Sequence, residues 1–318
     1  MILMERTLNY KKRKRKETLQ EKIFIIAMIA WPLIQFAVFW VYVNFDSIFM
    51  SFQKLDYSTG QEVFVGLSNY QWLFEQFSDP SFHDLWNCVL NSVILFLVNN
   101  LVILPISFFA AYIFFKKLKG QNFFRVVFFL PNIISVVVLT MAFSFMFDSS
   151  FGPINGFLNL IGLGGMIPAN GWLGDKSTAM GMVILYCIWA GIGGNVILVT
   201  GAINRIPPEV IEAGKIDGIG MWREFTQVVV PMIGPTIETL FITGISAIFT
   251  IFLQPQLLTK GGPYEHISGT IGLYIIELVE SGDLYKAATV GLFFSLIGIV
   301  LVVVNKFALD RITSEVEY

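Results

Sequence analysis

Charge is scarce in this sequence of 318 residues: 14% is Asp, Glu, Lys or Arg, against 55% hydrophobic residues and a mean hydropathy of +0.69. A soluble domain carries roughly one quarter charged residues, so a water-soluble class is excluded and an integral membrane protein is expected. Cysteine is nearly absent. Cys88 and Cys187 both fall in apolar runs, which excludes a disulfide framework and leaves them as small packing residues. Histidine is as rare: His83 and His266 lie in separate polar stretches without ligand spacing, so no metal site is expected. A phosphate-cradling GxxxxGK[ST] loop is missing, the nearest imitation being the wrongly spaced Gly171, Gly174, Lys176 and Ser177. No Ser occupies a GxSxG elbow either. ATP hydrolysis and nucleophilic chemistry by this chain are therefore not expected, and the reading is a non-enzyme without a cofactor of its own.

What is present is length of apolar chain. Several runs reach or approach the ~20 residues that cross ~30 Å of hydrocarbon as a helix, and the ~10-residue alternation of a membrane barrel is not seen. Six spans are expected, at about 23–43, 88–115, 126–147, 179–202, 228–253 and 284–309. The first is too long for a signal-peptide core and lacks a small-residue cleavage site, so it is read as retained. Ahead of it, KKRKRK (11–16) makes residues 1–22 a basic tail, read as solvated and not as a nucleic-acid site. Residues 51–86 form an acidic external loop, 148–177 and 254–283 are polar loops, and 310–318 is a short tail.

Basic residues orient the chain, because Lys and Arg accumulate on the cytoplasmic side. With the N-terminus inside, 17 of the 21 Lys and Arg fall in internal segments, and only Lys54, Lys176, Lys260 and Lys286 fall outside. Both termini are then cytoplasmic, and so is a polar island, NRIPPEVIEAGKIDGIGMWREFTQVVVP (204–231), between the fourth and fifth spans. Pro207 and Pro208 end one helix and pre-set another, with Glu209 near its positive end. Gly218 and Gly220 permit a sharp turn after Asp217, and Trp222 and Phe225 share one face of the helix that follows. Two short helices about a glycine turn suit either a plain hairpin or a docking surface for a soluble partner.

Within this island Glu212, Ala213, Gly214, Asp217, Gly218, Trp222 and Phe225 resemble the EAA loop of ABC importer permeases. VGLSNY (65–70), FFLPNIIS (128–135), GPINGFL (152–158) and LTKGGP (258–263) narrow the resemblance to carbohydrate-uptake permeases of the maltose and glycerol-phosphate type. Gly214 stands where that family usually has Ala, and Gly220 where small residues are common; each glycine within a helix costs ~1 kcal/mol relative to Ala. The resemblance implies an all-α, six-helix type I permease of a bacterial cytoplasmic membrane, with a coupling loop at about 204–227 in a 23–309 domain. It implies a second, non-identical permease, two cytoplasmic ATPase subunits that bind ATP-Mg, an external solute-binding protein and a carbohydrate substrate, with an oligosaccharide expected. Energy then comes from the partner ATPase by alternating access. For the substrate path, amides and hydroxyls in or at the ends of spans are the candidates: Asn100, Asn132, Asn195, Thr250 and Gln254. Glu238 joins them, because a straight helix would carry it ~15 Å beyond Val228, where a charge is costly and should face the partner subunit, a water-filled cavity or the cytoplasmic edge; the alternative is a displaced span boundary that leaves its side chain near the cytoplasmic headgroups. The rival reading is an ATP-independent secondary transporter or channel, which would place charged residues at midplane in paired broken helices.

Overall fold

The computed structural model describes residues 19–56, 58–78, 83–117, 119–262 and 266–310. The basic run 11–16 and the tail from 311 lie outside the described residues. Two compact units divide the chain after Met50. The first is one helix, α1 (residues 19–50), with Pro32 inside it and a π-helical stretch at Ala37–Tyr42. Its apolar side chains are exposed along the whole length, as a lipid-facing helix requires. The few polar groups are satisfied internally: Asn44 donates to the Trp40 carbonyl at 2.7 Å and Ser47 to that of Val43 at 3.0 Å.

The second unit begins with a hairpin, β1 (Gln53–Asp56) and β2 (Gln61–Phe64), antiparallel with Gln53 opposite Phe64. This hairpin is the one departure from an all-α fold among the described residues. α2 (Ser68–Ser78) follows, and VGLSNY proves to be its anchor: Asn69 donates to the Ser51 and Gln53 carbonyls at 3.0 and 2.8 Å, and Tyr70 to the Ser51 hydroxyl. The membrane helices come next. α3 (residues 83–115, π-helical at Asn99–Ile103) starts five residues before the expected Cys88. α4 (Gln121–Ile133), α5 (Val136–Met146), α6 (Pro153–Leu160) and α7 (Ala179–Ile203) precede the island helices α8 (Pro208–Ile216) and α9 (Met221–Met232). α10 (Gly234–Ala247), α11 (Leu253–Thr259), α12 (Ile271–Glu280) and α13 (Leu284–Asp310) complete the fold.

Among the described residues four helices are long and apolar enough to cross a membrane, and up to six spans result if each bent pair counts as one. The straight third and fifth spans expected from hydropathy are both corrected. α4 and α5 meet at 110°, α9 and α10 at 72°. At the first bend Ile134 and Ser135 are extended (ψ 140° and 137°), three residues after Pro131 has removed a helical donor. At the second, Ile233 leaves helical geometry (φ −92°, ψ 12°) just before Gly234 and Pro235. The segment 254–283, expected as a polar loop, contains α11 and α12, and α6 lies in the other loop; burial of Leu258, Ile271 and Leu273 explains why these stretches fold.

Packing depends on close backbone approach more than on apolar burial, since lipid is as apolar as Leu. A Cβ on Gly193 of α7 would lie 2.1 Å from the Phe128 carbonyl oxygen of α4 and 2.4 Å from Asn132 Nδ2. One apolar cluster joins α3, α7, α8 and α9 through Tyr112, Val199, Ile203, Ile211 and Phe225. A second joins Leu95, Leu139, Phe143, Tyr186 and Leu258. A third gathers Leu73, Cys88, Ile271, Val290 and Phe294 about α2, α12 and α13. Both cysteines are unpaired thiols, Cys88 fully buried.

Candidate functional site

The polar island folds as a helix, a tight turn and a second helix. α8 ends in a Schellman turn: Gly218 is left-handed (φ +70°), its N–H donates to the Lys215 carbonyl, and the Ile219 N–H donates to that of Gly214 at 3.1 Å. The turn folds Ile219 back over Gly214, where a Cβ would lie 2.6 Å from Ile219 Cδ1. Gly214 is buried inside α8, with the end of the Ile219 side chain packed against its open face. Gly220 lies outside both helices, in extended backbone at the start of α9.

Two faces result. Ile211 and Phe225 point into the first apolar cluster. Glu212, Ala213, Lys215, Asp217 and Gly218 are exposed, flanked by Ile216 (86% exposed) and Trp222 (66%). Two large apolar side chains standing out beside charges are what a protein-docking patch requires. The patch is braced by residues that the motif does not contain. Tyr112 of α3 donates to the Met221 carbonyl at 3.1 Å, its ring packs on Phe225, and Phe109 packs on Trp222 and Phe225. Lys116 lies 2.6 Å from the buried carboxylate of Glu224. These partners are more than one hundred residues apart in sequence, so no spacing could have revealed them.

Between α3, the α4–α5 bend, α7 and α10 lies a cavity of about 440 Å³. Asn132, Asn195 and Gln254 line it, together with Asn99 and Thr243 and, from the apolar side, Tyr186 and Leu139. The non-helical backbone at Ile134 is also in its wall, the kind of place where such backbone is tolerated at membrane depth. Three expected path residues are not brought there. Asn100 is buried and donates to the Phe96 carbonyl at 2.9 Å, Thr250 is exposed and donates to that of Ala247, and Glu238 is half-buried outside the cavity. The 72° bend places Glu238 only four residues into α10, ~6 Å along its axis, so the straight-helix depth of ~15 Å is corrected.

A charge cluster that joins the loop before α12 to the start of α3 went unseen in the sequence. His266 Nε2 lies 2.5 Å from Glu277 of α12, and Nδ1 lies 3.2 Å from Asp84 in the first turn of α3. Asn91 secures the same loop by donating to the Ile267 and Gly269 carbonyls, both at 2.8 Å. The hydrogen bond to Glu277, then the charges of both carboxylates, outweigh desolvation and raise the imidazole to about 9 from its ordinary 6.5. A raised folded-state value gives stabilisation that is complete below pH 6.5 and lost as pH rises through about 9. Melting of the purified protein is expected to drop over that window by about 1 kcal/mol, screening by solvent included. His266→Gln should abolish the drop and melt lower at pH 7; the same drop in the variant would sink the assignment.

Bent spans around a polar cavity, with a two-helix patch braced beneath, define a multi-pass membrane transport protein. Residues 103–316 match the family described as binding-protein-dependent transport system inner membrane component, and the chain belongs to that family. It is the non-catalytic, membrane-spanning permease of an ABC transporter, a multi-pass protein of the cytoplasmic membrane. Among its relatives, the probable ABC transporter permease protein YurN of Bacillus subtilis is 32% identical over 73% of this chain and 77% of that protein. The diacetylchitobiose uptake system permease protein NgcF of Streptomyces coelicolor is 27% identical over 79% and 72%. The arabinooligosaccharides transport system permease protein AraP of Halalkalibacterium halodurans is 29% identical over 87% and 84%. In fold, the chain matches a bacterial ABC transporter that imports the acidic polysaccharide alginate, with a TM-score of 0.77 over 93% of this chain and 98% of that one at 23% identity. A second structure of the bacterial alginate transporter, bound to its alginate pentasaccharide-loaded periplasmic protein, gives 0.78 at 22% identity over 93% and 96%.

Proposed function

We propose that the chain passes a carbohydrate, an oligosaccharide in particular, from an external binding protein through the membrane. The observation that carries the reading is the cavity at the α4–α5 bend, whose lining combines the amides of Asn132, Asn195 and Gln254 with the half-buried ring of Phe96 and apolar side chains. Amides supply the donors and acceptors that sugar hydroxyls need, and aromatic faces suit the apolar side of a pyranose. The names of NgcF and AraP, both permeases for oligosaccharides, support the same substrate class. In this reading a second, non-identical permease completes the pathway. Of two ATPase subunits carrying ATP-Mg, one seats against Glu212, Ala213, Asp217, Gly218 and Trp222, while the buried Gly214 and Phe225 support that surface from beneath, Phe225 by holding Trp222 in place.

The test is oligosaccharide uptake into vesicles containing the complete importer with its binding protein. A double change, Asn132→Ala with Gln254→Ala, is expected to lower uptake at least tenfold, about 1.4 kcal/mol or more of lost hydrogen bonding, with basal ATP hydrolysis retained. Uptake that proceeds undiminished without ATP would favour a secondary transporter. Unchanged uptake in the double variant would remove the cavity from the pathway.

A further inference from the structure

A second polar pocket lies away from the transport cavity, between the end of α3, the start of α4 and the end of α7. It measures about 320 Å³, and Lys117, Gln121, Arg125, Thr200 and Asn204 line it. Neither Lys117 nor Arg125 pairs with a carboxylate among the described residues; Arg125 lies 6.0 Å from the Phe129 ring centroid. Thr200 is 8% exposed, and its enclosed hydroxyl has no hydrogen-bond partner, not even the usual carbonyl one turn back. A buried hydroxyl without a partner is costly, and here it sits in the wall of a pocket with two cations that no carboxylate among the described residues pairs. Gln121, the first residue of α4, whose backbone amide the helix leaves without an internal acceptor, is in the same wall. All four features favour an anion with several acceptor oxygens.

Next to this pocket, sharing Phe114 and Gln121 with it, runs an apolar groove of about 660 Å³ between α3 and α4. Ile106, Phe109, Ile113 and Phe124 form its walls, and Lys119 stands at its end beside the polar pocket. An apolar trough that ends in Lys119, Lys117 and Arg125 matches one amphiphile: an acyl chain joined to a negatively charged headgroup. The charge count assigns these residues to the cytoplasmic face, where anionic lipid attracts Lys and Arg by ~1 kcal/mol each. We propose that this site binds an anionic phospholipid of the cytoplasmic leaflet, its phosphate held by Lys117, Arg125 and Thr200 and one acyl chain lying along the groove. The bound lipid would touch α3, α4 and α7, including Ile113, Phe115 and Lys117, sequence neighbours of Tyr112 and Lys116, which brace the docking patch.

Native mass spectrometry of the complete importer, titrated with phosphatidylglycerol, phosphatidylcholine or inorganic phosphate, tests this. Phosphatidylglycerol is expected to be retained well beyond phosphatidylcholine. Lys117→Gln with Arg125→Gln should weaken retention roughly tenfold or more, and Thr200→Val, nearly the same shape without the hydroxyl, by a few fold. Ile113→Trp, which fills the groove, should abolish lipid retention. Wild-type melting temperatures in the two exposed-charge substitutions would show that the loss is local. Equal retention of both lipids, displacement of phosphatidylglycerol by inorganic phosphate alone, or no bound lipid in the assembled importer would each overturn the proposal, the last because the partner permease would then cover the groove.

Discussion

Gly193→Ala is expected to leave little folded protein in the membrane. The added Cβ would stand 2.1 Å from the Phe128 carbonyl oxygen, and 2.4 Å from Asn132 Nδ2. A backbone oxygen cannot swing aside as a side chain can, so α4 and α7 must separate. Overpacking of this kind costs about 3 kcal/mol or more, a large part of a typical folding stability. Separation would also break the hydrogen bond from Asn132 to the Ala190 carbonyl, 3.2 Å, and open the cavity wall. Gly201→Ala in the same helix is the control. Nothing lies within 4 Å of its Cβ, so that change should be neutral or stabilise by about 0.5–1 kcal/mol. Yield and melting temperature in mild detergent distinguish the two, and equal behaviour of both variants would refute the close-contact argument.

Ile216→Asp combined with Trp222→Ala is expected to uncouple the chain from its energy source without unfolding it. Both side chains are exposed and make up the apolar part of the patch around Glu212 and Asp217. If the patch seats an ATPase, these are the anchor positions, and loss of a central anchor costs about 2 kcal/mol or more, roughly thirtyfold in affinity. Glu212→Lys should add repulsion against a partner shaped for a carboxylate. ATPase subunits should no longer co-purify, and ATP hydrolysis should no longer respond to the loaded binding protein, while melting stays near wild type. Full co-purification of ATPase with both variants would remove the island from the coupling role. Lys116→Met separates bracing from contact. It strands the buried Glu224 carboxylate, so it should destabilise the chain by about 3 kcal/mol, whereas the surface changes should not.

Membrane residence and helical architecture followed from linear properties, and the same properties carry the expectation that the island lies on the cytoplasmic side. Runs of apolar residues, the absence of a phosphate loop and the skew of Lys and Arg act over short stretches, and no folding is needed to read them. The island's turn was legible for the same reason, because Gly218 answers a local demand for a left-handed residue. Bends were not legible. Hydropathy is blind to direction, so a run broken at Ile134 or Ile233 looks the same as a straight one, and the straight-helix spacing from Val228 to Glu238 does not hold across the bend. Nor could spacing show that Gly214 makes room for Ile219, that Asn132 rests on Gly193, or that His266 bridges Asp84 and Glu277. Each of those joins residues brought together only by packing, and packing is the property that only the tertiary structure decides.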